Sequence, residues 1–308
     1  MHNQAVRAIL ARTKDPNRDA EIRFVSPIVS TAVAAAAVTD QSFRELRCRE
    51  ECQGYADMIG LTEAINGDIP VGKPSELHGQ KFSRLTRLYH PTEVEGCNQI
   101  ISDLLHANLD GEQNAGFINA VVKVVGELHD NVPSHSNGVG FSAAQVYCNT
   151  VGCRLEFAIT DCGCGMLHNV RKVDKAVQTD IDAIEWCLER RHTTAKPLSG
   201  LEQKVPDDSI ISPFPAAVTT VTSYDQHHVG EGLWCLTTLI REIEGSVWIW
   251  SGNGALLIGP DGTRTAKTTD TKWCGLAIEM ELDLGKAQAF DDGELSPSLQ
   301  EIAERLGL

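Results

Sequence analysis

The chain has 308 residues and a mass of 33.5 kDa, a length that suggests two domains. Its 42% hydrophobic and 22% charged residues are ordinary for a protein with a proper core. With 27 Lys and Arg against 42 Asp and Glu the net charge is −15, which argues against generic binding to nucleic acid or anionic membrane. The acid is uneven: residues 1–100 carry a net −1 and residues 101–308 a net −14, so two modules of different character are expected.

The N-terminus, residues 1–20, is polar and Arg-rich and lacks the apolar core of a signal peptide. No stretch approaches the roughly 20 apolar residues of a membrane span. A cytoplasmic protein is expected, with its ten cysteines as reduced thiols that act as small hydrophobes.

Glu21 to Val25 reads as a strand, broken by Ser26-Pro27, and Ile28 to Val38 as an Ala-rich buried helix. Arg44 to Ile65 has apolar residues at helical spacing. Asn66 to Gly79, rich in Gly and Pro, reads as loop. The domain boundary is placed between Gly79 and Glu93. Glu93 to Leu109 and Asn114 to Asn131 read as amphipathic helices, the second with Phe117, Val121, Val125 and Leu128 on a broad apolar face. Phe141 to Asn149 and Arg154 to Thr160 read as adjacent strands. Residues 166–229 form a long polar excursion holding one helix, Asp180 to Arg191. Gly232 to Glu244 reads as a helix. Ser246 to Ser251, Ala255 to Ile258 and Leu276 to Leu282 read as strands. This order predicts an α+β arrangement, a mixed sheet with helices on one face.

Three motifs in the second half carry chemistry. Glu127 and Asn131 in Glu127-Leu128-His129-Asp130-Asn131 lie four apart, so both project from one helix face. A carboxylate and an amide there suit a hard cation and a water. Ile159-Thr160-Asp161-Cys162-Gly163-Cys164-Gly165 ends a strand in an acceptor for an amine, followed by two glycines that allow a tight turn. His228-Val229-Gly230-Glu231-Gly232-Leu233 opens a helix whose free N–H groups suit an anion. Singly, each motif is also what a solvated helix face or a plain turn gives.

In this order the three resemble the N, G1 and G2 boxes of the GHKL superfamily of histidine-kinase-like ATPases, over about residues 95–285. The resemblance implies a Bergerat ATP-binding fold at residues 91–290, a two-layer α/β sandwich with a mixed sheet and an ATP lid at about 166–229. A smaller N-terminal α/β module, residues 1–90, is similar to STAS-like modules, and residues 291–308 form a tail. It implies that ATP and Mg²⁺ are bound. Asn131 would hold the metal, and Glu127 would orient or deprotonate the attacking group. Asp161 would take the adenine amine. Gly163 and Gly165 would pass beside the base. Gly230, Gly232 and the Leu233 amide would cradle phosphate. Thr193, Thr194 and Lys196 lie on the implied lid. The chain departs from the family at Gly275-Leu276, where a hydroxyl is usual, and at Trp234 and Cys235, where further glycines are usual.

His78, His90 and His106 lack the surroundings of a phospho-acceptor. Two functions are therefore expected to compete. One is an ATP-dependent regulatory protein that hydrolyses ATP or phosphorylates a protein partner, with self-association as a further possibility. The other is a non-catalytic nucleotide sensor or interaction module.

Overall fold

The computed structural model describes residues 21–22, 25–67, 75–109, 111–136, 138–150, 152–189 and 232–287. Its architecture follows from side-chain alternation in strand β5 (Cys153–Asp161). Leu155, Phe157 and Ile159 point to one face, Ala158 and Thr160 to the other, and all five are buried. A strand buried on both faces needs cover on both.

β5 lies at the centre of a five-stranded sheet of order β3 (Thr86–Leu88), β4 (Gly140–Cys148), β5, β7 (Arg264–Asp283), β6 (Ser246–Ile258). All four neighbouring pairs are antiparallel, so the sheet is antiparallel and not mixed. The helical connection from β5 to β6 does run between two strands of one direction. β7 returns between them, so those two strands never pair. A separate two-residue parallel ladder joins β1 (Glu21–Ile22) to β2 (Arg47–Cys48).

Two strands are longer than their sequence suggests. The expected strands at 246–251 and 255–258 are one strand, with register shifts at Ser251/Gly252 and Gly252/Gly254. Gly252 takes φ +58 and sits where a Cβ would meet the Asp180 carboxylate at 2.1 Å. β7 begins at Arg264 because a polar, exposed run pairs with the end of β6.

The first face is covered by α4 (Pro91–His106), α5 (Ala115–Asn131), α6 (Gly165–Val173), α7 (Asp180–Leu188) and α8 (Gly232–Glu242). α5 buries Phe117, Val121, Val124, Val125 and Leu128, each contributing about 1.5–3 kcal/mol of transfer free energy. Residues 166–188 are thus not a single polar excursion with one helix. They hold two helices, and α6 escapes notice in the sequence because only Met166 and Val170 of it are buried. The remainder of the expected lid, with Thr193, Thr194 and Lys196, the expected phosphate-cradling Gly230, and the tail at 291–308 lie outside the described residues.

The second face is covered by α1 (Pro27–Thr39), which packs on β4 and β5. Ser26 caps it and Pro27 opens it, both favourable at a helix start. Its small side chains allow close approach to Phe141, Ala143, Ala158 and Ala277. Thr31 Oγ1 and Thr160 Oγ1 hydrogen-bond at 2.8 Å across this contact. The helical stretch after it is broken at Gly60, φ +73, into α2 (Glu50–Ile59) and α3 (Leu61–Asn66).

One cysteine pair departs from expectation. Cys148 and Cys153 form a disulfide at the turn end of the β4–β5 hairpin. The antiparallel register places them directly opposite one another, a relation that spacing alone does not reveal. The other eight cysteines are free thiols. No described helix is long and apolar enough to cross a membrane.

Candidate functional site

The structure brings Glu127, Asn131 and Gly232 together. Glu127 and Asn131 lie on the last turns of α5, and Gly232 is the first residue of α8. A Cβ on Gly232 would stand 3.0 Å from Glu127 Cβ, 3.7 Å from Glu127 Oε2 and 3.7 Å from Asn131 Nδ2. Glycine lets the start of α8 lie against the end of α5. Leu233, the next residue, packs half-buried on the first-face core.

A buried histidine fixes this end of α5. His129 is 0% exposed, with Nδ1 at 2.6 Å from Asn98 Oδ1 and Nε2 at 2.8 Å from Ser142 Oγ. Asn98 Oδ1 only accepts, so Nδ1 carries the proton and Nε2 accepts from Ser142. Burial pushes the imidazole down to about 3, so it is neutral. The ring ties α5 to α4 and β4, and holds the turn bearing Glu127 and Asn131. No role for His129 is legible in the sequence, because its partners come from elements distant in the chain.

A second group surrounds Asp161, the last residue of β5. Asp161 is 5% exposed. Its carboxylate accepts from the Gly163 N–H at 2.7 Å and from the Leu276 backbone N–H. Burial pushes the carboxyl up to about 6, and the two donors act against that rise. Trp273 Nε1 donates to the Asp161 carbonyl at 3.0 Å. A Cβ on Gly275 would lie 2.2 Å from that carbonyl oxygen, so β7 can pass here only as glycine.

The two G1 glycines make their close approaches to the chain itself. A Cβ on Gly163 would fall 2.0 Å from the Ser136 carbonyl oxygen, which accepts from the Cys164 N–H at 2.9 Å. Gly165 takes φ +73, and a Cβ there would meet Ser251 Oγ at 3.1 Å. Ser251 Oγ accepts from Met166 N at 2.9 Å and donates to the Gly275 carbonyl at 3.1 Å, tying the loop to β7. Ser136 lies in the short π-helical turn Val132–Ser136 that follows α5. The Glu127–Asn131 group and the Asp161 group are thus joined through one short segment. Ser136, Ser251 and Gly275 were not anticipated as supports; nothing local in the sequence signals contacts made between strands.

Of the three histidines set aside as phospho-acceptors, His90 precedes α4, with its backbone N–H donating to the Glu93 carboxylate at 3.0 Å. No family model, no curated protein and no solved structure matches the chain.

Proposed function

We propose that the chain is a regulatory protein that binds Mg-ATP in the manner of the histidine-kinase-like ATPases, and hydrolyses it or passes its γ-phosphate to a protein partner. The observation that carries this reading is the seat of Gly232 on Glu127 and Asn131, which joins the first and third motifs across two helices. The Asp161 group supports it from the other end of the same short segment. A Bergerat fold, with residues 1–90 as a partner-facing module and a cytoplasmic setting, belongs to the same proposal.

The roles follow from the residues. Asp161, ionised above about pH 6, accepts from the adenine amine. The N–H groups at the start of α8 meet phosphate, aided by the helix dipole. Among the described residues no three His, Cys, Asp or Glu side chains gather as a metal cage. Asn131 would hold a hard cation through its amide oxygen, a donor that suits Mg²⁺. When bound, that ion neutralises charge on the phosphates. Glu127 stands beside Asn131 to orient or deprotonate the attacking water or hydroxyl.

The test measures ATP binding with and without Mg²⁺, then phosphate release, for wild type, Glu127→Ala and Asp161→Asn. Labelled ATP with candidate partners detects transfer. Binding that Asp161→Asn weakens, with turnover that Glu127→Ala removes, is the expected result. Absence of binding by wild type overturns the proposal. Leu276 offers Asp161 a backbone N–H and no hydroxyl; binding with neither release nor transfer would make the protein a sensor instead.

A further inference from the structure

On the second face of the sheet, beyond the positions that α1 covers, the alternation of β5 and β7 places three carboxylates together. Glu156 stands opposite Glu281, and Ala158 opposite Glu279. Gln145 of β4 and Trp248 of β6 flank them, opposite Glu156 and Glu279. Tyr55 of α2 closes one side, hydrogen-bonded to Gln145 Oε1. Glu156 is only 8% exposed, and its Oε2 is buried with no hydrogen-bond partner. An unpartnered buried carboxylate oxygen is costly, and a cation or donor brought to it offsets that cost. Arg154 pairs with Glu281 at the margin, so the patch keeps an excess of acid. Trp248 offers apolar surface beside it, and with Trp250 and the polar run Lys267 to Thr271 it lines a cavity of about 250 Å³.

We propose that this face, with Glu156, Glu279, Glu281 and Trp248, is the docking surface for the chain's own basic segment, residues 1–20.

Charge complementarity favours this occupant. Residues 1–14 contain Arg7, Arg12 and Lys14, and no acid. The same stretch carries Val6, Ile9 and Leu10 to meet Trp248. Reach favours it too. The segment leads into β1, whose Ile22 carbonyl contacts Cys52 of α2, the helix that also bears Tyr55. Twenty residues span about 30 Å even when helical, more than enough from that point. No gathering of three acidic, His or Cys side chains fit for a metal is present among the described residues, so a cationic segment suits the patch better than a metal ion.

The docking is sensitive to pH. Burial pushes Glu156 and Glu279 up to about 7. The charged and titratable groups facing Glu156 are Glu281, Glu279, Arg154, Tyr55 and Tyr147. Those facing Glu279 among the described residues are Glu156 and Glu281, which raise it. Above pH 7 the carboxylates are charged and hold the segment more tightly.

The experiment is hydrogen exchange on the full chain, following peptides from residues 1–20 at pH 6 and pH 8 as protection factors. Protection is expected to be about tenfold greater at pH 8 than at pH 6, and that gain is expected to vanish in Glu156→Gln/Glu279→Gln. Arg7→Glu/Arg12→Glu alters the segment and leaves the sheet intact, so it guards against misfolding of the first variant; it too is expected to lose the protection. Equal exchange in wild type and both variants overturns the proposal. Protection that rises with protein concentration also overturns it, by assigning the face to a second copy.

Discussion

Gly232 lies so close to Glu127 that a Cβ on the glycine would stand 3.0 Å from the Glu127 Cβ, although the two are more than a hundred residues apart in sequence. The contact sets how near α8 comes to the end of α5. Gly232→Ala requires Glu127 or the start of α8 to give by a few tenths of an ångström. A loss of about 1–3 kcal/mol is expected in urea unfolding. ATP binding is expected to weaken by more than tenfold under conditions where the variant is still folded. An unchanged midpoint and unchanged binding would show that the helices yield easily there.

Gly275→Ala is expected to cost more. Its Cβ would fall 2.2 Å from the Asp161 carbonyl oxygen and 2.5 Å from Oδ1, and the first of these is backbone of a central strand. A side chain can rotate away, whereas this carbonyl also accepts from Trp273. About 3 kcal/mol or more is expected, read as a fall in thermal midpoint well beyond that of Gly232→Ala.

The stability of the fold depends on pH through groups of opposite sign. His129 is held at about 3, below its ordinary 6.5, so between those values the unfolded chain binds the extra proton. That contribution is complete above pH 6.5 and is lost as pH falls towards 3. Glu156 and Glu279 are raised to about 7 from 4.5, and Asp161 to about 6 from 3.8. There the folded chain binds the extra protons, so stability falls as pH rises from about 4 to 7 and then levels. Denaturant midpoints across pH 4–8 read this directly. Glu156→Gln is expected to shallow the decline between pH 5 and 7, and an unchanged slope would contradict the burial of that carboxyl.

The hydroxyl pair Thr31–Thr160 joins α1 to the sheet at 2.8 Å. Thr31→Val leaves the Thr160 hydroxyl buried without that partner, a cost of about 1–3 kcal/mol. The double change Thr31→Val/Thr160→Val removes both polar groups and is expected to cost less than the sum of the single changes. A double-mutant cycle in urea measures the difference, and simple additivity would deny the coupling.

Reduction of Cys148–Cys153 opens a loop with a sequence separation of only 5 residues. Loop-closure entropy for so short a loop amounts to about 2 kcal/mol. A phosphine reductant is expected to lower the thermal midpoint by a few degrees, and Cys148→Ser/Cys153→Ser to match the reduced wild type.

Much of the fold is legible because periodicity survives into three dimensions. The apolar spacing from Phe117 to Leu128 announces α5, and the alternation in Leu155, Phe157 and Ile159 announces β5. Strand direction is less accessible: nothing local in β7 says that it returns between β5 and β6. The covering of the second face is hidden for a related reason. α1 is buried from Pro27 to Ala37, so it has no polar side to orient it. Among the expected site residues, Glu127, Asn131 and Gly232 lie side by side, a contact between elements far apart in the chain, and Ser136, Ser251 and Gly275 likewise act through pairings made only on folding. Gly275 reads in the sequence as a departure, and in the structure it is the seat of Asp161.

Thr160 and Asp161 are consecutive residues of a strand and therefore look in opposite directions. Thr160 holds α1; Asp161 holds the loop proposed to meet the base. The layer built by the first third of the chain and the proposed nucleotide end of the sheet are thus separated by a single peptide unit. The helix that covers the second face and the loop at the end of β5 are therefore anchored at adjacent positions of one strand, on its opposite faces.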